Sequence, residues 1–510
     1  MKEPGERNYS DIRWQLILLG LFRFSEALAW TTIFPYAFPM MKSFLPENDA
    51  QAARAAVLAS STVSLFTFGE FLTSVPWAKV SDRIGRKWTL MIGVASGIVS
   101  ALVFGLSKNL GVALAARAFG GLANPNVGVV STSVGELVKN KRDQGKAFSV
   151  VPFLRALGSL IGPVIGGWLA DPTNTIPSIF SKGSIWEKYP YLLPNLVVVL
   201  SIAGSGLLGF FLLEETHPRF QDSRNVGLEM SQWLFQKTRI ILGYTDTQKY
   251  TTLSPDEDSD IPLQRGEDVE MSSVIEPNEP IEEENDLVTE SKPPIKSAYT
   301  LQVILQILAA SIIGFHKVSS DVIIPIFLAQ SNEPTSGGRK RDFFEFTVGF
   351  GMTSPSISNI LLSQAVVAVI AQMFIVPKVI SHLGPLKVFR WVAFIFPWLY
   401  CLTPFTARLD QPLSTIFLLI DLWIKGVLIS LGYTASNILL TNTSPSPLHL
   451  ATINGANASM GSLARSVGAA VSGSMFHLGL QYHAIGLPFW ALTVVAGIGA
   501  ILSRFLRDGP

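Results

Sequence analysis

Four ionisable side chains, Glu26, Arg117, His316 and Asp321, stand inside stretches that are otherwise apolar. Charge is costly to hold in such surroundings, so groups of this kind mark proton relays, ion paths or paired partners. Glu26 falls about a dozen residues into its stretch, near the middle of a spanning helix. Arg23 stands one turn away, which leaves two roles open to Glu26: loading and unloading a proton, or a fixed ion pair. Lys317 and Asp321 share one helical face at i,i+4 spacing and neutralise each other, and Asp421 with Lys425 repeats that spacing. His316 is either a proton relay or a hydrogen-bonding group for a substrate. Arg117 needs a carboxylate or a polar cavity, unless it lies close enough to its helix end to snorkel.

The elements that must position these groups follow from composition. Of 510 residues 48% are hydrophobic and only 15% charged, with a mean hydropathy of +0.37, so the charges cannot cover a water-exposed surface. Windows of ~20 apolar residues begin near Leu16, Ala55, Trp88, Leu110, Gly145 and Tyr191, and again near Leu301, Ile357, Leu386, Leu413, Leu448 and Leu487. The expected fold is an all-α membrane protein with twelve transmembrane helices in two six-helix halves, residues 1–213 and 299–510. Between them, 214–298 reads as a disordered linker, because Asp256 to Glu290 holds fourteen acidic residues against Arg265 alone and cannot bury enough apolar surface to fold. Ser254, Ser259, Ser272 and Ser273 make it either a solvated tether or a phosphorylation-controlled segment. The net charge of +1 implies no nucleic-acid partner, and the single Cys401 excludes a disulfide framework. Lys79, Arg83, Arg86 and Lys87, then Lys139, Lys141, Arg142 and Lys146, then Lys378, Lys387 and Arg390 fall on one side of an alternating path, which places both termini in the cytoplasm. Lys182, Lys188 and Arg339-Lys340-Arg341 run against that pattern. Met1 to Asp11 is too polar for a cleavable leader, and the sequon Asn8-Tyr9-Ser10 then faces the cytosol.

Three further patterns carry spacing that insertion alone does not require. The turn Trp77-Ala78-Lys79-Val80-Ser81-Asp82-Arg83-Ile84-Gly85-Arg86-Lys87-Trp88 joins the second and third spans. The fifth span holds Gly158-Ser159-Leu160-Ile161-Gly162-Pro163-Val164-Ile165-Gly166-Gly167, whose glycines form a ridge for close helix approach. The halves also repeat. Lys79, Val80 and Gly85 match Lys378, Val379 and Gly384, with Ser381 in place of Asp82. Arg155-Ala156-Leu157-Gly158 matches Arg465-Ser466-Val467-Gly468, and superposing Pro35 on Pro325 lays Glu26 on His316. The ridges are expected to turn Arg155 and Arg465 toward the opposite half, with Glu70 at the right depth to pair with Arg465.

The turn resembles G-x-x-x-D-x-x-G-R-K of the major facilitator superfamily, departing from it at Ala78, and the fifth span resembles that superfamily's antiporter motif G-x-x-x-G-P-x-x-G-G. Arg117-Ala118-Phe119-Gly120-Gly121 is similar to its R-x-x-x-G element, a position linked to proton transfer. Arg23 to Trp30, Leu213-Glu214-Glu215-Thr216-His217-Pro218 and Leu440-Thr441-Asn442-Thr443-Ser444-Pro445 resemble fungal members of the twelve-helix drug:proton antiporter branch related to the zinc-induced-facilitator-like group. The resemblance implies a monomeric, proton-coupled antiporter that exports or sequesters a small organic compound across the plasma membrane, or the vacuolar membrane, by alternating access. A proton symporter and a non-transporting receptor on the same fold are the alternatives. It further implies Asp82, Gly85, Arg86 and Lys87 as a conformational latch, with Asp82 meeting the eleventh helix when the cavity faces out. Glu26, Trp30, Asn124, Asn126, His316, Tyr433 and Asn437 are the expected cavity positions. No G-x-x-x-x-G-K-[ST], H-E-x-x-H or G-x-S-x-G occurs, so neither an enzyme nor an ATP-driven pump is expected, and no cofactor or metal site either.

Overall fold

The computed structural model describes residues 9–47, 50–137, 141–220, 225–241, 299–330, 349–443 and 450–509. The acidic run 256–290, Arg339-Lys340-Arg341, Asn8 and Ser444-Pro445 lie outside the described residues.

Among the described residues every element is helical, as long apolar segments in lipid must be when their backbone groups bond internally. We number the passes in chain order. Helix α1 runs over Tyr9–Thr32, bends by 45° at Ile33 where Pro35 cannot continue the hydrogen-bond ladder, and resumes as Phe34–Ser43. Then come α2 (Gln51–Ile84), α3 (Arg86–Gly105) and α4, which is broken at Asn124-Pro125 into Leu110–Leu122 and Asn126–Leu137. The side chain of Asn109 caps the first piece of α4 by accepting from the Val112 amide at 2.9 Å. Helices α5 (Lys141–Leu169) and α6 (Leu192–Leu212) complete the first half. The second half holds α7 (Leu301–Ala329), α8 (Ser354–Ile370, continued through a π turn at Ala371–Ile375 into Val376–Leu383) and α9 (Pro385–Leu402). It ends with α10 (Leu413–Asn442), α11 (Leu450–Gln481) and α12 (Leu487–Ser503). The π turn lies just ahead of Pro377, whose missing N–H interrupts the α ladder. Among the described residues eight helices are long and apolar enough to span, or nine counting bent α1; the order of elements is consistent with twelve passes.

One stretch differs from expectation. Within 214–298, Val226–Ile241 is a helix and not irregular chain. This part carries Val226, Leu228, Trp233, Leu234, Ile240 and Ile241 and lies outside the acidic run, so charge repulsion does not keep it open.

Glycine sets the packing within each half. A Cβ at Gly158 would sit 2.2 Å from the Phe24 carbonyl oxygen, at Gly162 2.0 Å from Thr31 Oγ1, and at Gly166 1.8 Å from the Thr32 carbonyl oxygen, so α5 touches α1 backbone to backbone. In the second half Gly468 holds α11 against the Phe315 carbonyl of α7 in the same way, at 2.7 Å. The glycines of the ridges therefore meet partners in their own half, while Arg155 and Arg465 on the same helices turn to the cavity between the halves. Burying small residues against a neighbouring backbone gives more dispersion contact than pointing them at an interface that must open.

Contacts between the halves concentrate at one end. Ser358 donates to the Pro163 carbonyl, Trp168 Nε1 donates to Asn359 Oδ1 at 3.1 Å, and a Cβ at Gly167 would meet Ser358. On α2 and α11, Gly473 packs on Ser60 and the hydroxyls of Ser64 and Ser466 lie 3.2 Å apart. Toward the Asp82 turn the helices part: Leu72 and Val75 are exposed, Trp77 bonds to the Leu122 carbonyl of its own half, and Gly455 has open space beside it. The molecule is closed on the side of the α1–α2 loop and open on the side of Asp82.

A buried polar cluster ties α10 to the segment that follows α9. Lys425 Nζ donates to Asp421 Oδ2 at 2.7 Å and also to Thr403 Oγ1, with side chains 3% and 10% exposed for the ion pair. Lys425→Met alone strands Asp421 and should cost about 3–5 kcal/mol of stability in detergent melting. Asp421→Asn combined with Lys425→Met should lose much less, and a double variant that loses as much as Lys425→Met alone would contradict the pairing.

Candidate functional site

A cavity of about 500 Å³ lies between the halves. Helix α1 contributes Arg23, Glu26 and Trp30; α2 contributes Phe66 and Glu70; α4 contributes Arg117 and Asn124; and α5 contributes Arg155. From the second half come Lys317, Tyr433 and Arg465. Trp30 packs between Phe34 and Phe66, with ring centroids at 5.9 and 5.7 Å, and forms an apolar wall.

The charges in this cavity are mostly paired. Arg23 Nη1 donates to Glu26 Oε2 at 2.5 Å, so Glu26 is held within α1. Lys317 donates to Asp321, as the four-residue spacing implied. The structure also brings Glu70 and Arg465 together, Oε2 to Nη2 at 3.7 Å, across the two halves. Glu70 accepts a second bond from Asn124 Nδ2 at 2.8 Å, which the break in α4 makes possible by turning Asn124 inward. Arg117 does not snorkel. It is 8% exposed, donates from Nε to the Thr62 carbonyl at 3.1 Å and lies 4.4 Å over the Phe66 ring.

Two expected positions are corrected. His316 is buried away from the cavity, its Nδ1 3.0 Å from the Tyr400 hydroxyl and its ring against Phe396. The reason is register. The equivalent contacts Gly158 to Phe24 and Gly468 to Phe315 superpose Phe24 on Phe315, and hence Glu26 on Lys317. The prolines are displaced by one residue because α1 breaks at Ile33 while α7 continues through Pro325, and one residue turns a helical side chain by about 100°. Asn437 is exposed on α10 one turn beyond Tyr433 and does not line the cavity. The side chain of Asn126 lies outside the described residues.

At the open end, the α2–α3 turn is a charge cluster. Gly85 adopts φ +94° and packs against Glu215, whose carboxylate accepts from the Arg86 and Lys87 amides at 2.9 and 3.1 Å, capping the start of α3. Arg86 binds Asp82 at 2.7 Å and Glu136 at 2.8 Å, and Thr216 donates to Glu136 at 2.8 Å. Lys87 Nζ donates to Asn225 at 2.7 Å. Glu136 and Glu215 were not anticipated as partners; the Glu215-Thr216 pair after α6 was the one available signal. In the second half Gly384 keeps a positive φ of 76°, but no side chain comes within 4 Å of the position its Cβ would take. Asp82 is 60% exposed and turned to Arg86, so among the described residues its expected contact with α11 is not made while this side is open. Asp82→Asn should therefore change stability by less than about 1 kcal/mol. Glu136→Gln, which leaves buried Arg86 with a weaker partner, should cost about 1–3 kcal/mol; equal losses in thermal melting would contradict the assignment.

Comparison with known proteins agrees with this architecture. A family model described as Major Facilitator Superfamily matches residues 19–315. The chain is 36% identical over 506 residues to the Major facilitator superfamily multidrug transporter mfsB of Aspergillus fumigatus, covering 97% of this chain and 83% of that one. It is 35% identical over 186 residues to Protein ZINC INDUCED FACILITATOR-LIKE 1 of Arabidopsis thaliana, covering 36% and 38%. The fold is also similar to that of the human organic anion transporter MFSD10, with a TM-score of 0.56 at 15% identity over 98% of this chain and 100% of that chain. With a cavity between two packed helical halves, a charged α2–α3 turn and relatives matched over nearly its whole length, this chain belongs to the major facilitator superfamily and is an integral, multi-pass membrane transporter, not an enzyme.

Proposed function

We propose that the protein is a proton-coupled antiporter that exports or sequesters a small organic compound by alternating access. The observation that carries this reading is the cavity of about 500 Å³, lined by ionisable groups from both halves and closed on one side. Glu26 and Glu70 line it, each held by an arginine. A proton taken up by either carboxyl group removes the attraction to its arginine and frees a cation inside the cavity, so protonation and cavity charge are linked. Arg117, electrostatically within reach of Glu70, belongs to the same system. His316 packs away from the cavity and Asp321 neutralises Lys317, so the coupling role rests on the two glutamates. Glycines 158, 162, 166 and 167 with Pro163 keep α5 close to α1 and α8, and so let the halves rock as rigid bodies. The arginine- and lysine-rich turns support a cytoplasmic location for both termini and residues 214–298, and with it for the open side of the cavity. The name of the fungal relative, a multidrug transporter, supports a small organic substrate; the direction proposed is efflux across the plasma membrane, with vacuolar sequestration as the alternative, by a monomer.

The test is substrate-profiled uptake into inside-out vesicles with an imposed pH gradient. Glu26→Gln should abolish gradient-driven accumulation and leave exchange of substrate for substrate intact. Accumulation at the wild-type level in that variant would remove Glu26 from the coupling step.

A further inference from the structure

The cavity carries more positive charge than it neutralises. Its lining includes the cations Arg23, Arg117, Arg155, Lys317 and Arg465 and the carboxylates Glu26 and Glu70. Glu26 neutralises Arg23, Glu70 neutralises Arg465, and Asp321 neutralises Lys317 from outside the lining. Five cations against these three carboxylates leave two positive charges, and they belong to Arg155 and Arg117. Arg155 projects from α5 into the cavity and makes no ion pair or hydrogen bond among the described residues. It lies within electrostatic reach of Arg23, Glu26, Arg465 and Tyr433. Arg117 has a buried Nη2 without a hydrogen-bond partner. Arg117 is buried and Arg155 is exposed to the cavity, so two guanidinium groups short of countercharge set a positive potential inside a membrane-spanning cavity, which favours an anion that enters it.

We propose, on the transporter reading above, that the substrate is an organic anion whose anionic group binds Arg155, with Tyr433 and Arg465 completing the contact from the opposite half. The carrier thus presents a fork-shaped donor suited to a carboxylate, sulfonate or phosphate monoester. Trp30, Phe66 and Phe104, which line the same cavity, take the apolar or aromatic body. A cationic substrate meets the reverse situation. Both cavity carboxylates are already engaged by arginines, so a cation must displace one of them and leave it unpaired beside Arg155. An anion bridging Arg155 of the first half and Tyr433 of the second also gives the halves a reason to close around it.

One naphthalene ring with three head-group charges separates these cases. Naphthalene-1-carboxylate and naphthalene-1-sulfonate are compared with neutral naphthalene-1-carboxamide and cationic 1-naphthylmethylammonium, by thermal melting of the purified full-length protein in detergent. The two anions should raise Tm by about 3 °C or more at saturating concentration, with no rise for the amide or the ammonium. Arg155→Gln should melt no lower than wild type without ligand, since it removes an uncompensated charge, and should lose the anion-induced rise; Arg155→Lys should recover part of it. A rise with the ammonium or amide equal to that with the anions, no rise with either anion, or a full anion-induced rise in Arg155→Gln would overturn the assignment. Counterflow of labelled probe in proteoliposomes distinguishes the two readings. Anion binding without counterflow contradicts transport and leaves the anion site standing, whereas counterflow of the ammonium without anion binding contradicts the anion site alone.

Discussion

Charge held in a low-dielectric interior has to be neutralised, and the Glu70–Arg465 pair is where this constraint meets the mechanics of the molecule. Glu70 accepts from Asn124 on α4 and faces Arg465 on α11, so one carboxylate joins three helices and both halves. It sits at the level where α2 and α11 begin to part. On one side of it Ser64 meets Ser466 and Ser60 meets Gly473; on the other Gly455 has open space beside it. Rocking of the halves toward the opposite state must move these two charges relative to each other. A proton on Glu70, or an anion near Arg465, changes the free energy of that movement, which is what coupling between substrate and proton requires.

The halves repeat their packing and differ in their charge. Gly158 on Phe24 and Gly468 on Phe315 are the same contact made twice. It superposes a carboxylate, Glu26, on a cation, Lys317. The α2–α3 turn likewise keeps Asp82, Arg86 and their partners Glu136 and Glu215, while its counterpart keeps the positive-φ glycine and has Ser381, which donates to the Lys378 carbonyl. Duplicated backbone geometry with divergent side chains yields a symmetric pivot around an asymmetric, positively charged site.

How much of this was legible follows from the range of the interactions involved. Pairs within one helix, Arg23 with Glu26, Lys317 with Asp321 and Asp421 with Lys425, could be read from spacing, because helical geometry fixes which side chains meet. Glu70 with Arg465 could be inferred from depth alone, since a membrane orders helices along one axis. Rotation about that axis was not legible. The bend at Ile33 shifts the proline register by one residue, enough to turn His316 into the α9 interface and bring Lys317 to the cavity. The partner of the α5 glycine ridge was not legible for the same reason: small residues show that something comes close, not which helix it is. Glu136 and Glu215 are 50 and 129 positions from Arg86, and nothing local announces them.

The most direct test is a double-mutant cycle on Glu70 and Arg465, read by thermal unfolding of the purified protein. Glu70→Gln and Arg465→Gln should each cost about 1–3 kcal/mol, and the double variant should lose less than their sum by about 1 kcal/mol or more. Additive losses, or none, would contradict an ion pair across the halves and with it the pivot on which coupling depends.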